Sequence, residues 1–332
     1  MMDLITGIND HNRRLDRILR KALPDYSLSL IHRLLRQGKI LVDSRPAEPQ
    51  TRVPSGSVIT IPDSKIPNGI APFSPAGRKQ AVPGKQKSVK LSSAAALDIL
   101  FQGDGLLILN KPVGVTVHGP DSLDTRVQEY LAEHSPQIAS GSISFKPGPL
   151  HRLDKPSSGV IAFSTSLAGA QHFSALMREG RIKRYYLAIV EGRLTKAEVW
   201  QDRLEKKMQG AVLTRKDAKM ERSQSCVFAE TRVKPFAYSQ TAPGAFLNTN
   251  KYTLILAELK TGRTHQIRAQ AFAHGHPLAG DIKYGGHRLN TVKGFYLHAW
   301  KLIIDDDTEV FAPLPYIFAE QIRFLFGKVL GI

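Results

Sequence analysis

The stretch "GPLHRLDKPSSGVIAFS", residues 148–164, sets a charged cluster directly before an apolar run. His151, Arg152 and Asp154 precede the flexible "PSSG", and residues 160–163 are all apolar. A short apolar run beside turn residues is typical of a buried strand. The stretch therefore predicts titratable side chains at the mouth of a sheet, although a solvated loop with an Arg152–Asp154 salt bridge would have the same spacing.

The composition predicts about two domains and a polyanionic partner. The chain has 332 residues, 42% of them hydrophobic, which is enough for substantial cores. Its 46 basic and 29 acidic side chains give a net charge of +17, which favours nucleic acid or an acidic membrane face as partner. Residues 1–90 alone hold sixteen basic and seven acidic side chains. This asymmetry favours an N-terminal polyanion-binding module on a larger body.

Several classes of protein have no signal in the sequence. A single cysteine, Cys226, excludes an intramolecular disulfide and a cysteine-rich zinc site. No apolar run reaches the roughly 18 residues of a membrane span, and the start lacks the apolar core of a secretory signal. We therefore expect a cytoplasmic protein without a membrane partner. A P-loop, a dinucleotide fingerprint and an H-E-x-x-H motif are also missing, so we expect no metal, nucleotide or redox cofactor.

Residues 1–61 predict a small domain of two helices followed by a β unit. Leu15, Ile18 and Leu19 share one face of the first helix, and Ser27 or Ser29 can cap the second. "KILVDSRP" and "SGSVITIP" then have the pattern of two strands. The candidate RNA contacts are the basic residues Arg14, Arg17, Arg33, Arg36 and Lys39.

The rest of the chain predicts a linker and an α+β domain. Residues 62–90 are rich in Pro, Gly, Ser and Lys and lack periodicity, which is typical of a basic linker. Residues 91–332 alternate irregularly between strand and helix patterns. Strands outnumber helices, which favours a mixed, largely antiparallel sheet over a doubly wound fold. Thr264 can cap a helix that runs through "HQIRAQAFAHG".

Three polar clusters beside predicted strand or helix ends could form one site. They contain Asp154, the pair Tyr185 and Tyr186, and Arg268. An arginine beside an aspartate favours the ionised carboxylate by Coulomb attraction and bidentate hydrogen bonds. An ionised aspartate can act as a nucleophile or a base, and a tyrosine can stack on a planar substrate.

The same clusters resemble the RluA family of pseudouridine synthases. "HRLDKPSSG" is similar to the family signature HRLD-x-x-[ST]-S-G, and "NKPVGVTVHG" is similar to N-K-P-x-G-x-x-V-H. "KRYYLAIVEG" resembles the tyrosine strand, with Tyr186 at the tyrosine position. "LKTGRTHQIRAQAFAHGHPLAGDIKYG" and "LHAWKL" resemble the last two blocks. The blocks occur in the family's order, and residues 12–61 look like the S4-type RNA-binding domain that precedes the catalytic domain in ribosomal members.

The resemblance implies a cofactor-independent isomerase that converts uridine to pseudouridine in structured RNA. It assigns catalysis to Asp154, packing on the flipped base to Tyr186 and pairing with the aspartate to Arg268. Arg152 would help to displace the uridine, and His151, Arg263 and His265 would contact the substrate. The chain departs from the family at "KPSSG", at Tyr185 and at Gln270, where a histidine is usual.

The sequence leaves the RNA substrate and the assembly open. The S4-like domain favours ribosomal RNA, with the 23S large-subunit RNA first, and we expect a monomer. A tRNA-directed synthase is the alternative enzyme, and a non-catalytic RNA-binding or ribosome-assembly protein is the alternative from another class. Asp154 could add to the base or act at the ribose, and the sequence does not choose between the two routes.

Overall fold

A computed structural model describes residues 1–62, 97–206, 212–215, 226–239, 251–288, 294–305 and 307–327. The predicted linker at 62–90 lies outside these ranges except for its first residue. Contacts divide the chain into two units. The first comprises Met1–Ala96, Arg126–Gly148 and Thr165–Ala168, and the second holds the remainder. The predicted domain boundaries stay predictions.

The N-terminal part contains two helices and six short strands. The strands are β1 (Met2–Ile5), β2 (Arg13–Arg14), β3 (Leu41–Val42), β4 (Arg45–Pro46), β5 (Arg52–Val53) and β6 (Val58–Ile61), and the helices are α1 (Leu15–Ala22) and α2 (Leu28–Arg36). Strands β1, β6, β3 and β4 form one sheet in that order, and β2 pairs with β5. A single-turn 3-10 helix also covers Ile8–Asp10.

The two helices form where the sequence predicts them. Leu15, Ile18 and Leu19 are fully buried in a core that includes Ile31 and Ile59. The hydroxyl of Ser27 accepts a hydrogen bond from the Leu30 amide, so Ser27 is the cap of α2. Burial of these apolar faces leaves the basic side chains of both helices at the surface.

The remainder of the chain is dominated by strands. The strands are β7 (Ile99–Gly103), β8 (Leu106–Lys111), β9 (Gly148–Pro149), β10 (Ser158–Ser164), β11 (Ile182–Glu191), β12 (Glu198–Lys206), β13 (Val212–Arg215), β14 (Cys226–Tyr238), β15 (Tyr252–Leu259), β16 (Leu297–Ile304) and β17 (Thr308–Phe311). The helices are α3 (Leu123–His134), α4 (Pro136–Ser140), α5 (Leu167–Glu179), α6 (Gln266–Ala273) and α7 (Tyr316–Phe326). A 3-10 turn covers Ile282–Tyr284. No helix within the described ranges is long and apolar enough to cross a membrane.

These strands form one large mixed sheet. Its order is β13-β12-β14-β15-β11-β16-β10-β8-β7, with β17 on β16 and β9 on β10. In the described part of the sheet, β10 and β16 pair in parallel. The pairs β8–β10, β11–β15, β11–β16, β12–β14, β14–β15 and β16–β17 are antiparallel. The predicted α+β fold with a largely antiparallel sheet and a small N-terminal domain is confirmed.

Strand β10 is buried along its whole length, as the apolar run predicts. It lies between β8 and β16, and Gly159 pairs with Lys111 on one side and Ala299 on the other. Gly159 has a φ of +107°, and a Cβ atom there would lie 2.1 Å from the Ala299 carbonyl oxygen. Only glycine fits this approach without displacing backbone. The "PSSG" turn therefore brings Asp154 to the end of a fixed central strand.

Candidate active site

Asp154 lies in the tight turn that leads into β10. Its carbonyl oxygen accepts a hydrogen bond from the Ser157 amide at 3.0 Å, which closes the turn. Ser158 follows, and its hydroxyl hydrogen-bonds to Nδ1 of the buried His298 on β16 at 2.8 Å. The Asp154 side chain is 22% exposed, so its carboxylate faces a cleft that a substrate could enter.

Arg268 of α6 contacts this carboxylate. Its Nη1 donates to Oδ2 of Asp154 at 3.0 Å, so the predicted pair is present. The predicted bidentate geometry is wrong, because the two-pronged contact is made with Asp281 instead. Nε and Nη2 of Arg268 donate to the two Asp281 oxygens at 2.7 and 2.9 Å. Asp281 thus orients the guanidinium and leaves one N–H group for Asp154.

Aromatic rings hold the same guanidinium in place. Its central carbon lies 4.3 Å from the ring centre of Phe295 and 4.9 Å from that of Tyr284. Burial opposes the charged form, but the hydrogen bonds and charge of Asp281, followed by Asp154, raise the pKa of Arg268 above its ordinary value. A fixed positive charge therefore stands beside the Asp154 carboxylate at every pH of interest.

His265 reaches the carboxylate from the start of α6. The predicted cap Thr264 is wrong: α6 begins at Gln266, and His265 is the flanking residue, in a left-handed conformation with φ 53°. The Gln266 side chain, which accepts from the Arg263 amide at 3.0 Å, closes the preceding turn instead. His265 Nε2 lies 3.8 Å from Oδ1 of Asp154. Burial lowers the pKa of His265, while the charge of Asp154 opposes that shift.

The two tyrosines of β11 lie in different environments. Tyr186 is buried and lines the Asp154 cleft, whereas the half-buried Tyr185 lines a separate cavity with Glu198 and Arg232. Neighbouring side chains of a strand point to opposite faces of the sheet, so the two tyrosines are separated by the alternation of β11. Burial raises the pKa of Tyr186, so its hydroxyl stays protonated and can donate a hydrogen bond.

Lys111 and Asp281 are site residues that the sequence reasoning missed. Lys111 ends β8, is fully buried, and donates to the carbonyl oxygens of Pro112 at 2.9 Å and Lys155 at 3.3 Å. Burial lowers its pKa to about 8, and the charge of Asp154 acts against that shift. Both residues stand in motifs already quoted, "NKP" and "GDIKYG". A charged residue closing an apolar strand was the available signal for Lys111.

The predicted substrate contacts divide into three groups. Arg152, Arg263 and His265 line the Asp154 cleft. His151 is part of an adjoining cavity, and its Nε2 accepts from the Ala162 amide at 3.1 Å. The predicted RNA contacts of the N-terminal unit form the third group. Arg14 is half-buried and donates to Asp16, whereas the other side chains of this group are exposed: Arg17, Arg33, Arg36 and Lys39. The described ranges contain no cluster of three or more His, Cys, Asp or Glu side chains able to hold a metal ion.

Gln270, a departure from the family pattern, lies behind the site. It is fully buried and donates to the Trp200 carbonyl at 2.9 Å and the Asp202 carboxylate at 2.8 Å. Its own oxygen accepts from the Thr231 hydroxyl at 2.7 Å. Gln270 therefore connects α6 to β12 and β14. It is not among the described residues that line the Asp154 cleft.

Comparison with known families gives the class of protein. The profile of the family described as RNA pseudouridylate synthase matches residues 105–273, and the S4 domain profile matches residues 13–59. The first match covers half of the chain and most of the residues that surround Asp154. The chain belongs to the RNA pseudouridylate synthase family, and it is an isomerase with an N-terminal S4 domain.

Individual relatives support this assignment. A protein of Yersinia pestis named ribosomal large subunit pseudouridine synthase C is 31% identical over 302 residues, covering 90% of this chain and 84% of its own. The protein of the same name from Haemophilus influenzae is 30% identical, covering 89% and 84%. The solved structure of human RNA Pseudouridylate Synthase Domain Containing 4 matches with a TM-score of 0.54 at 24% identity, covering 69% of this chain and 92% of that one. This structural match supports the fold.

Proposed function

We propose that this enzyme isomerises specific uridines in large-subunit ribosomal RNA, with Asp154 as the catalytic residue. The observation that carries the proposal is the contact of Arg268 Nη1 with Asp154 Oδ2 at 3.0 Å, in a cleft that Tyr186 also lines. The names of the relatives from Yersinia pestis and Haemophilus influenzae point to the large subunit. A cytoplasmic location and a monomeric state remain predictions.

The geometry suits a reaction on a base that has left its stack. Flipping a uridine out of folded RNA costs a few kcal/mol, which contacts of basic side chains with phosphates offset. Asp154 then adds to the base or acts at the ribose, and the C–N glycosidic bond breaks. The uracil turns within the cleft, C5 bonds to C1′, and a base removes the C5 proton. N1 gains a proton, and any bond that Asp154 has formed to the substrate breaks, which frees the carboxylate. Substrate and product have the same composition, so the reaction needs no cofactor.

The side chains around Asp154 have separate tasks in this proposal. Arg268 donates a hydrogen bond to the carboxylate and holds it in position, and Asp281 fixes the arginine. Tyr186 packs on the base and presents a protonated hydroxyl. Arg152, which is exposed at the edge of the cleft, takes the space that the flipped uridine leaves.

The S4 domain favours ribosomal RNA over the alternatives. It would hold structured RNA away from the reacting uridine, through the exposed basic residues of α1 and α2. A non-catalytic assembly protein would have no need for the contacts that order Arg268 against Asp154.

Mapping of pseudouridine in a strain that lacks the gene tests the proposal. We expect one or a few large-subunit rRNA positions to lose pseudouridine and a plasmid copy of the wild-type gene to restore them. Asp154→Asn should not restore them, although the purified variant should keep most of its affinity for the RNA. Loss of pseudouridine in tRNA alone would show the tRNA-directed enzyme. Full restoration by Asp154→Asn would exclude Asp154 as the catalytic residue.

A further inference from the structure

Arg184 of β11 is a buried cation without a carboxylate partner in the described part of the chain. It is 7% exposed, and its recorded hydrogen bond runs from Nη2 to the Leu259 carbonyl at a long 3.4 Å. Its Nε–H group has no acceptor among the described residues. An unpaired buried charge is costly, so a site of this kind is complete only when an anion joins it.

His151 supplies a second donor without an acceptor among the described side chains and backbone groups. Its Nε2 accepts a hydrogen bond from the Ala162 amide, so in the neutral ring Nδ1 carries the proton. Nδ1 is buried and has no partner within the described ranges. Burial, and then the positive charge of Arg184, lower the pKa of His151 to about 3. The ring is therefore neutral at physiological pH, with an N–H group left to donate.

Both residues line one cavity of about 530 Å³ that adjoins the Asp154 cleft. Asp154 and Tyr186 belong to the walls of both. The remaining charged side chains in the described lining are all cationic: Arg152, Arg178, Arg184, Lys260 and Arg263. Asp154 is thus the one carboxylate among the described residues of this lining, and a strand of RNA entering the cleft would meet a positive surface on its way to the catalytic residue.

We propose that Arg184 and His151 form a binding site for one backbone phosphate of the RNA strand beside the flipped uridine. The inference rests on the proposed function, because it takes RNA as the substrate. A phosphate fits better than a carbonyl group of a base, since a neutral acceptor would leave the charge of Arg184 uncompensated. Both residues line the cavity, so a phosphate held there would lie against the Arg184 guanidinium, whose planar shape suits phosphate geometry.

Gly262 shapes the same site. A Cβ atom at this position would lie 2.9 Å from Nη1 of Arg184, in the "TGR" turn that begins the last cluster. The small size of glycine lets the guanidinium lie against the turn. Gly262 therefore leaves Arg184 room to keep its buried position at the cavity wall.

Charge-neutral methylphosphonate links, placed singly around the target uridine, test the proposal. The RNA is the fragment that the wild-type enzyme modifies. We expect one position at which the neutral link weakens wild-type binding about 10- to 100-fold, as for loss of a charge-assisted hydrogen bond. Arg184→Gln should bind unmodified RNA that much more weakly and lose nothing further at that position. Arg323→Gln, an exposed arginine on α7 outside the cavity lining, is the matched control and should behave as wild type.

Two outcomes would overturn the phosphate site. In one, Arg184→Gln and the neutral link weaken binding independently, so that their fold-changes in affinity multiply at every position scanned. The other is a lower affinity for all links together with a large loss of melting temperature, which would show that Arg184 only supports the fold. Arg184→Lys, which keeps the charge, should retain part of the coupling and the melting temperature.

Inorganic phosphate separates this inference from the proposed function. At matched ionic strength, phosphate should raise the melting temperature of the wild-type protein more than that of Arg184→Gln. That difference is expected even if no RNA substrate is found, in which case the proposed function fails and the anion site stands. An equal response of both proteins to phosphate would reject the anion site, whatever the activity on RNA.

Discussion

At the scale of single residues, the site depends on which carboxylate accepts the bidentate hydrogen bonds of Arg268. Because Asp281 takes both prongs, Asp154 is held by one N–H group and keeps lone pairs for the reaction. Asp154 is also the more exposed of the two carboxylates, at 22% against 2%. The buried Asp281 therefore orients the arginine, and the accessible Asp154 is the carboxylate that we propose to react.

The tyrosine pair gives a matched test of the residue that faces the base. Tyr186→Phe keeps the ring and loses the hydroxyl, so we expect turnover to fall about a hundredfold with little change in RNA affinity. Tyr185→Phe, in the separate cavity, should leave turnover unchanged. Single-turnover rates at saturating enzyme measure both. The reverse ranking of the two variants would mean that the strand presents the other tyrosine to the substrate.

Lys111 predicts the alkaline limit of activity. Burial lowers its pKa to about 8, so the ammonium group loses its proton as the pH rises through that value. The positive charge near Asp154 then disappears, and we expect the single-turnover rate to fall above this pKa. Lys111→Arg keeps its proton and should move this limb to higher pH.

The prediction for Lys111 is wrong if the single-turnover rate falls at alkaline pH with the same midpoint in the wild type and in Lys111→Arg. Lys111→Met serves as a second variant, because it removes the charge and leaves a side chain of similar length in the buried site. It should be slow at every pH and should lack the limb. Circular dichroism of the three proteins checks that the fold is kept.

At the scale of elements, the parallel contact of β10 with β16 positions the turn that carries Asp154. Gly159→Ala would force a Cβ atom against the Ala299 carbonyl at a φ of +107°. We expect a loss of about 3 kcal/mol or more in the free energy of unfolding, from backbone strain and overpacking together. Urea denaturation measures the loss.

Gly180→Ala is the control for Gly159. Gly180 also has a positive φ, +72°, but a Cβ atom there meets no described atom within 4 Å. It should cost only the conformational strain, about 1–2 kcal/mol. Equal losses in the two variants would show that the close approach of β10 and β16 adds nothing to the strain.

The elements also show where sequence patterns fail. The apolar runs of β8, β10, β11, β15 and β16 predict their strands, because burial on both faces leaves little else in them. Strand β12 has no such run, because its inward residues, Trp200, Asp202 and Leu204, include a charged one that interrupts the alternation. Asp202 is buried there because Gln270, 68 residues away in sequence, donates to it. No local pattern contains that information.

The site was predictable to the extent that motifs carry it. Asp154, Tyr186 and Arg268 were selected by their motifs, and the structure places them around one cleft; their catalytic roles are predictions that the variants test. Arg184 could not be selected, because its importance depends on burial without a carboxylate partner among the described residues. A charge without a counterion is visible only when burial and neighbours are known.

At the scale of the whole molecule, the N-terminal unit predicts a salt-dependent grip on RNA. Its exposed basic residues include Arg17, Arg33, Arg36 and Lys39. Changing these four residues to Gln should flatten the plot of log K against log salt by about 0.7–0.9 for each phosphate that the variant no longer neutralises. Filter binding at several salt concentrations measures the slope. An unchanged slope would mean that these residues do not touch phosphate.

Turnover separates this grip from catalysis. In the same four-residue variant, the single-turnover rate at saturating enzyme should equal that of the wild type, because the Asp154 cleft is unaltered. A rate that falls as much as the affinity would assign the changed residues to a step after binding. For Asp154→Asn we expect the opposite pattern, with affinity kept and turnover abolished.

The order of strands in the large sheet has a consequence for the timing of synthesis. Arg268 follows Asp154 by 114 residues, and β16, the neighbour of β10, follows Arg268. At about 5–20 residues per second, a ribosome needs about 6–23 s to pass from the aspartate to its arginine. Strand β10 is therefore synthesised well before β16, which is its second neighbour in the sheet. We expect a chain that stops just after Arg268 to be inactive although it carries Asp154, Tyr186 and Arg268, because Asp281, which orients the arginine, and β16, which flanks β10, are both encoded later.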